Sequence, residues 1–526
     1  MSIDCKAAFV CTLLFSASAA NLTNDRVHVD GGTLEGVAGA KPGVRIFKGI
    51  PYAAAPVGEL RWAEPRPVVK WSGVRIADHF GPRCMQAPVY NDMIFRDTGS
   101  SEDCLHLNVW TPAKSPTERL PVMVWIHGGG FQAGASSEPR QDGEVLATKG
   151  VIVVSINYRM GIFGFLAHPD LTKASPHHAS GNYGLMDQWQ ALRWVHQNIK
   201  AFGGDANRVT IFGESAGSFS VCALMASPLS RDLIAGAIGE SGAFFGPTLA
   251  AKTLSAAEEQ GVKFAASQAG DLVALRAMPA EKLLTASRSQ QSMSFNPIVD
   301  GYFFPTAPAE IFAAGKQSHV PLLAGWNSDE MPYPVLMAKE KMTTERLAGQ
   351  LRDKYASETA AMQAAYGATN DEEALQAARE LSSDQFIGYS TWKWIDVQAR
   401  TGGKPVYRYS FTRVRPAKPG AKMGALDASQ LGAVHASEIE YVFGALDSNK
   451  EFDWKPEDYK VSELMQTYWT NFAKTGDPNG AGVPKWGAYT SKNAAQVMRL
   501  DVDAQSANET HRDRYETLDR FYAKSH

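Results

Sequence analysis

Cysteine is scarce in this chain, five in 526 residues, which excludes a small disulfide-stapled scaffold; a chain this long can bury a large core without staples. Long apolar runs are missing too. The apolar stretch at residues 7–15 is too short to cross a bilayer as a helix. No charge of one sign dominates: 52 Lys+Arg against 55 Asp+Glu leave a formal net charge of −3, with no block of like charges. That balance argues against nucleic acid or a polyanionic surface as the main partner. No internal repeat, low-complexity tract or Pro/Gly/Ser-rich linker divides the sequence. What remains is an ordinary globular composition, 44% hydrophobic and 20% charged, for which a small, largely uncharged partner is expected.

Lys6, the apolar stretch after it and Ala17-Ser18-Ala19 together have the pattern of a secretory signal peptide over residues 1–20. A secreted or periplasmic location is therefore expected. Its removal would take Cys5 and Cys11, leaving Cys84 and Cys104 as a candidate pair and Cys222 as a buried, inert thiol. Short apolar runs at 122–126, 151–156, 209–212, 322–324 and 406–411 predict buried strands. Between the second and third, Leu185, Trp189, Leu192, Val195 and Ile199 share one helical face. A second helix is predicted after Ser215, stopping by Pro228, and a third from Val461 to Lys474 with Gly476 as its stop. Residues 256–288 read as helical and are expected to pack over the sheet. Strands alternating with helices imply a mostly parallel sheet covered on both faces, in one catalytic domain over 21–526.

Two glycine motifs carry the chemistry. The segment 208–217 is a strand running into Gly213-Glu214-Ser215-Ala216-Gly217, followed by a helical pattern. A serine there would sit on a strained strand-to-helix turn, where flanking side chains would clash, and the helix N-terminus favours negative charge beside it. Gly239-Glu240-Ser241-Gly242-Ala243 starts the same way but lacks the closing glycine, so Ser241 suits a hydrogen-bonding role better than nucleophilic attack. His127-Gly128-Gly129-Gly130-Phe131 directly follows the strand at 122–126. Three glycines leave backbone N–H groups free to converge on a developing oxyanion, a contribution of roughly 3–4 kcal/mol per donor. A phosphate loop is disfavoured because no Gly-Lys-Ser/Thr follows.

With these motifs in place, the chain resembles the type B carboxylesterase family, which includes cholinesterases and bacterial p-nitrobenzyl esterases. The resemblance runs through Phe47-Lys48-Gly49-Ile50-Pro51-Tyr52, Glu102-Asp103-Cys104-Leu105-His106-Leu107-Asn108-Val109-Trp110, Asn182-Tyr183-Gly184-Leu185-Met186-Asp187-Gln188, Phe202-Gly203-Gly204-Asp205 and the serine motif. It implies an α/β-hydrolase fold with helical insertions over an active-site gorge. By that resemblance Ser215 is the nucleophile, Glu330 the orienting acid and His435 the general base, in the chain order of α/β-hydrolases. Asp329 is the rival acid, and Met331 stands where many members have glycine. Gly129, Gly130 and Ala216 match the oxyanion donors, and Cys84 and Cys104 match a disulfide around a loop at the gorge mouth. Glu214 fits either a modulator of His435 or a helix N-terminal carboxylate.

The implied reaction is acyl transfer to Ser215 and hydrolysis of the acyl-enzyme, with no metal or organic cofactor and a small-molecule ester as partner. His435 is expected to titrate at roughly pH 5.5–7.5. The cholinesterases that the chain resembles carry a tryptophan face for a quaternary ammonium in this disulfide loop, whereas residues 85–103 here contain Tyr90 and Phe95 but no tryptophan. The resemblance therefore implies neutral esters over choline esters, with Asp92, Asp97, Glu102 and Asp103 as acids that would attract a cation only weakly from the rim. Phe131, Phe244, Phe245 and Tyr333 are candidates to line an apolar pocket. Amide or carbamate hydrolysis at the same site is the alternative within enzymes. A binding module that kept the fold without catalysis is the alternative outside them, although such members typically lose the serine or histidine.

Overall fold

The computed structural model describes residues 25–524, apart from 269, 291–292, 338–339, 424–425, 429–430 and 492–494. The expected signal peptide lies outside the described residues. Eleven strands build the main sheet: β1 (Val37–Ala38), β2 (Arg45–Pro51), β3 (His106–Thr111), β4 (Leu120–Ile126), β5 (Ile152–Ile156), β6 (Gly204–Glu214), β7 (Gly236–Glu240), β8 (Leu322–Asn327), β9 (Val406–Phe411), β10 (Gln496–Leu500) and β11 (Gln505–Asn508). Their order is β11-β10-β9-β8-β7-β6-β4-β5-β3-β2-β1. The strands from β10 across to β5 are all parallel, while antiparallel strands finish both edges.

Alternate residues of each central strand enter different apolar layers, because successive side chains of a strand point to opposite faces. In β4, Val122, Val124 and Ile126 join one core cluster, whereas Met123 and Trp125 join the other. Both faces are therefore apolar, and the strand reads as a continuous hydrophobic run. Helices α1 (Tyr183–Asn198), α2 (Ala216–Ala226) and α3 (Tyr389–Thr401) share the first cluster through Leu185, Phe219 and Ile395. Helix α4 (Pro456–Thr475) brings Val461, Met465, Trp469 and Phe472 to the second.

Some boundaries differ from the sequence pattern for physical reasons. Strand β6 begins five residues before the apolar run, where its register against β4 shifts between Gly204 and Val209 and Asp205, Asn207 and Arg208 break the apolar pattern. Helix α4 starts at Pro456, whose fixed φ suits the first helical position. It ends as expected at Gly476, which caps it at φ 77. Residues 254–289 form three helices and contribute no strand to the main sheet. Among the described residues no helix is long and apolar enough to cross a membrane.

The parallel register is what assembles the site. Ile126 pairs with Gly213, Glu214 with Glu240, and Glu240 with Gly325. The loops that leave β4, β6, β7 and β8 thus emerge side by side at the carboxyl edge of the sheet, where open α/β sheets bind ligands.

Candidate active site

Ser215 joins β6 to α2 at φ 55, ψ −123, an uncommon conformation for a residue with a side chain. Its N–H donates to the Glu240 carbonyl at 2.8 Å. A Cβ on Gly217 would lie 2.0 Å from the Ile126 carbonyl oxygen, and one on Gly213 would lie 2.6 Å from the same atom. The turn can therefore close only with glycine on both sides. Along the loop after β4, Gly129 and Gly130 hold φ 107 and φ 62. Among the described residues, the N–H groups of Gly129, Gly130 and Ala216 donate to no carbonyl or side chain, which leaves three donors beside Ser215. Gly128 packs so tightly that a Cβ would stand 3.0 Å from Ser215 Cβ.

His435 and Glu330 meet across two loops. His435 Nδ1 lies 2.6 Å from Glu330 Oε2. The other oxygen of Glu330 accepts from Ser241 Oγ at 2.5 Å and from the Asn327 N–H at 2.7 Å. With three partners and 1% exposure, this carboxylate is fixed in place. Ser241 is itself fully buried and spends its hydroxyl on Glu330. Asp329 turns away: its carboxylate accepts from Ser328 Oγ and the Ala433 N–H. His127 is buried, stacks on Tyr158 at 4.5 Å and has one ring nitrogen 2.9 Å from the Gly128 carbonyl. Burial pushes it down to about 4, so it stays neutral and structural.

His435 Nε2 faces Glu214 Oε1 at 3.2 Å. Ser215 Oγ, by contrast, makes no hydrogen bond to a described residue; catalytic serine–histidine contacts are often loose until substrate arrives. Burial alone would weaken His435 as a base, but the Glu214 and Glu330 carboxylates outweigh it and lift the imidazole to about 10. Burial in turn raises Glu214 to about 8, against the pull of His435. Both groups are thus shifted upward, His435 by the two carboxylates and Glu214 by its burial.

Two further acids stand beneath this pair. Glu438 accepts from Asn327 Nδ2 at 2.6 Å and is raised to about 7 by burial and by Glu330. Glu240 accepts from Trp469 Nε1 at 2.8 Å, and burial next to Glu438 holds it well above the usual carboxyl range. Sequence reading missed both, together with Asn327. The short step from His435 to Glu438 is visible in sequence, but nothing local reveals that β7 and β8 deliver Glu240 and Asn327 to the same place. Among the described residues no group of three His, Cys, Asp or Glu side chains is placed to hold a metal ion.

Cys84 and Cys104 form a disulfide. Cys222 is buried, with its thiol pushed up to about 12 by desolvation. Of the candidate pocket aromatics, Phe131 and Phe244 stack 6.5 Å apart inside the core, against Phe165, Phe219 and Phe304. Phe245 packs on Phe312. Phe386, outside that set, stands edge-on to His435 at 5.1 Å.

Known proteins share this arrangement of chain and sheet. The chain is 37% identical over 500 residues to the fumonisin B1 esterase of Sphingopyxis macrogoltabida, covering 90% of this chain and 86% of that one. It is 34% identical over 519 residues to the cocaine esterase of Homo sapiens, covering 91% and 88%. A solved PNB esterase superposes with a TM-score of 0.79 at 33% identity, over 94% of this chain and 99% of the other, which makes the fold that of an α/β-hydrolase. The model of the carboxylesterase family matches residues 23–518, and the chain belongs to that family as a carboxylic ester hydrolase.

Proposed function

We propose that this enzyme hydrolyses neutral esters through an acyl-enzyme on Ser215, with His435 as general base and Glu330 as the acid that orients it. The observation that carries this reading is the 2.6 Å contact between His435 Nδ1 and Glu330, beside a serine held at φ 55 between two irreplaceable glycines. His435 takes the Ser215 proton as the oxygen attacks the ester carbonyl, and the N–H groups of Gly129, Gly130 and Ala216 hold the oxyanion. The proton then passes to the leaving alcohol, and water releases the acid by the same route. Ser215→Ala should lower kcat by several orders of magnitude without unfolding the protein, leaving the residual rate that oxyanion donors alone supply. Substantial turnover in Ser215→Ala, with loss in Ser241→Ala instead, would overturn the assignment.

The substrate class rests on the loop closed by the disulfide. It has no tryptophan, and it exposes Val89 and Ile94, surfaces suited to apolar groups rather than to a quaternary ammonium. Relatives named for fumonisin B1, cocaine and pyrethroids differ in the substrate they name, so membership alone leaves the acyl and alcohol parts open. We expect kcat/KM for a neutral butyrate ester to exceed that for butyrylcholine; a preference of about tenfold or more for the cation, roughly 1.4 kcal/mol, would refute this class. Export of the mature chain is part of the same proposal, and a disulfide fits an oxidising compartment.

A further inference from the structure

The segment between Cys84 and Cys104 is a strap bound along its length to the residues that continue the glycine loop. Gln86 Nε2 donates to the Gly134 carbonyl at 2.8 Å, and Gly134 N–H donates back to Gln86 Oε1 at 2.9 Å. Arg140 Nη1 donates to Asp92 at 3.0 Å. Arg96 donates to the carbonyls of Ser137 and Glu138 and to the Asp142 carboxylate. Ser137 Oγ donates to Asp97 at 2.5 Å, and Arg83 pairs with the same aspartate. The strap is therefore clipped to residues 134–142, just past the glycine loop.

This docking delivers two side chains onto the oxyanion glycines. Met93 Cε reaches within 3.1 Å of the point where a Cβ on Gly129 would stand. At Gly130 the corresponding point has a single heavy atom within 4 Å beyond the chain neighbours, the Tyr90 hydroxyl oxygen at 3.1 Å. The rest of that space is open. Tyr90 is 43% exposed overall, yet its hydroxyl turns inward and bonds to no described residue. This hydroxyl faces the vacant side of a glycine whose N–H donates to no described residue. Burial, with Glu214 and Asp92 nearby, raises the phenol above its ordinary value, so it remains a donor across the working pH range.

We propose that the Tyr90 hydroxyl contacts substrate, donating a hydrogen bond to the ester carbonyl oxygen as it becomes an oxyanion beside Gly130. The inference rests on acyl transfer at Ser215. A neutral donor aimed at that oxygen binds more strongly as negative charge builds, so its contribution belongs to the transition state and shows in kcat.

The test is Tyr90→Phe in the full chain, with p-nitrophenyl butyrate as substrate and a trifluoromethyl ketone as tetrahedral analogue. Removing one such donor should lower kcat roughly a hundred- to a thousandfold, with KM little changed. Ketone affinity should fall by the same factor as kcat/KM, and the melting temperature should hold, since the hydroxyl has no protein partner to lose. An unchanged kcat, or a raised KM at constant kcat, would overturn the proposal. Fluorophosphonate labelling read by mass keeps the two failures apart. Labelling at Ser215 with unaltered kcat in Tyr90→Phe removes the tyrosine's role alone, whereas labelling at another residue removes the acyl-transfer reading beneath it.

Discussion

His435 stands between two carboxylates, Glu330 at 2.6 Å from Nδ1 and Glu214 at 3.2 Å from Nε2, and the two affect catalysis in opposite ways. Under the proposed mechanism, Glu330 would steady the imidazolium formed during attack through its contact with Nδ1. Glu214 faces the other ring nitrogen, which under the proposed mechanism would accept the serine proton, and its charge favours the protonated ring. The acid limb of kcat/KM should therefore lie above the ordinary histidine range. Glu214→Gln removes an anion that stabilises the protonated ring, so the base becomes free at lower pH. The limb should shift downward by roughly one to three units, as expected for a charge at this range. A pH–rate profile over pH 4–10 on p-nitrophenyl butyrate measures it, and a limb that stayed in place would remove Glu214 from any influence on the base.

Among elements, the strap is held twice, by a covalent bond and by hydrogen bonds, and the two contribute at different stages. Closing a loop with a sequence separation of 20 lowers unfolded-chain entropy by about 3 kcal/mol. The clips at Gln86, Asp92, Arg96 and Asp97 hold the folded strap without it. Replacing both cysteines by serine should therefore lower the denaturation midpoint while leaving kcat/KM at 25 °C within severalfold. Activity lost at unchanged stability would mean that the disulfide alone positions the strap. The elements legible in sequence were those whose signal is local. The glycine-flanked serine, the glycine loop, the apolar strand β4 and the largely apolar β5 all follow from neighbouring residues. Less legible was whatever depends on register. The polar first half of β6 pairs irregularly, Ser241 and Asn327 reach Glu330 from β7 and β8, and Tyr90 gains its inward hydroxyl only because the strap docks on residues 134–142.

For the whole molecule, the carboxyl edge of the sheet concentrates buried acids without enough cations to match them. Glu214 and Glu438 are raised to about 8 and about 7, and Glu240 well above its ordinary 4.5, with burial the first cause of each. An acid whose folded pKa is raised contributes stability that is complete below its unfolded pKa and is lost as pH rises toward the folded one. Above the ordinary 4.5 the unfolded chain has released these protons, while the folded chain holds them up to about 7 at Glu438 and about 8 at Glu214, so stability falls as pH rises over that window. Glu240 is the clearest member to test, because it is fully buried and its one hydrogen bond, from Trp469, can be kept by an amide oxygen. Wild type should lose stability relative to Glu240→Gln by up to about 1.4 kcal/mol per pH unit, the limit for one site that stays protonated only when folded. Chemical denaturation of both proteins at pH 5, 6.5 and 8 reads the difference directly. A gap that widens with pH shows that the site carries a buried, protonated acid; parallel curves would show that Glu240 is ionised in the fold, and that Trp469 and its surroundings pay its desolvation in full.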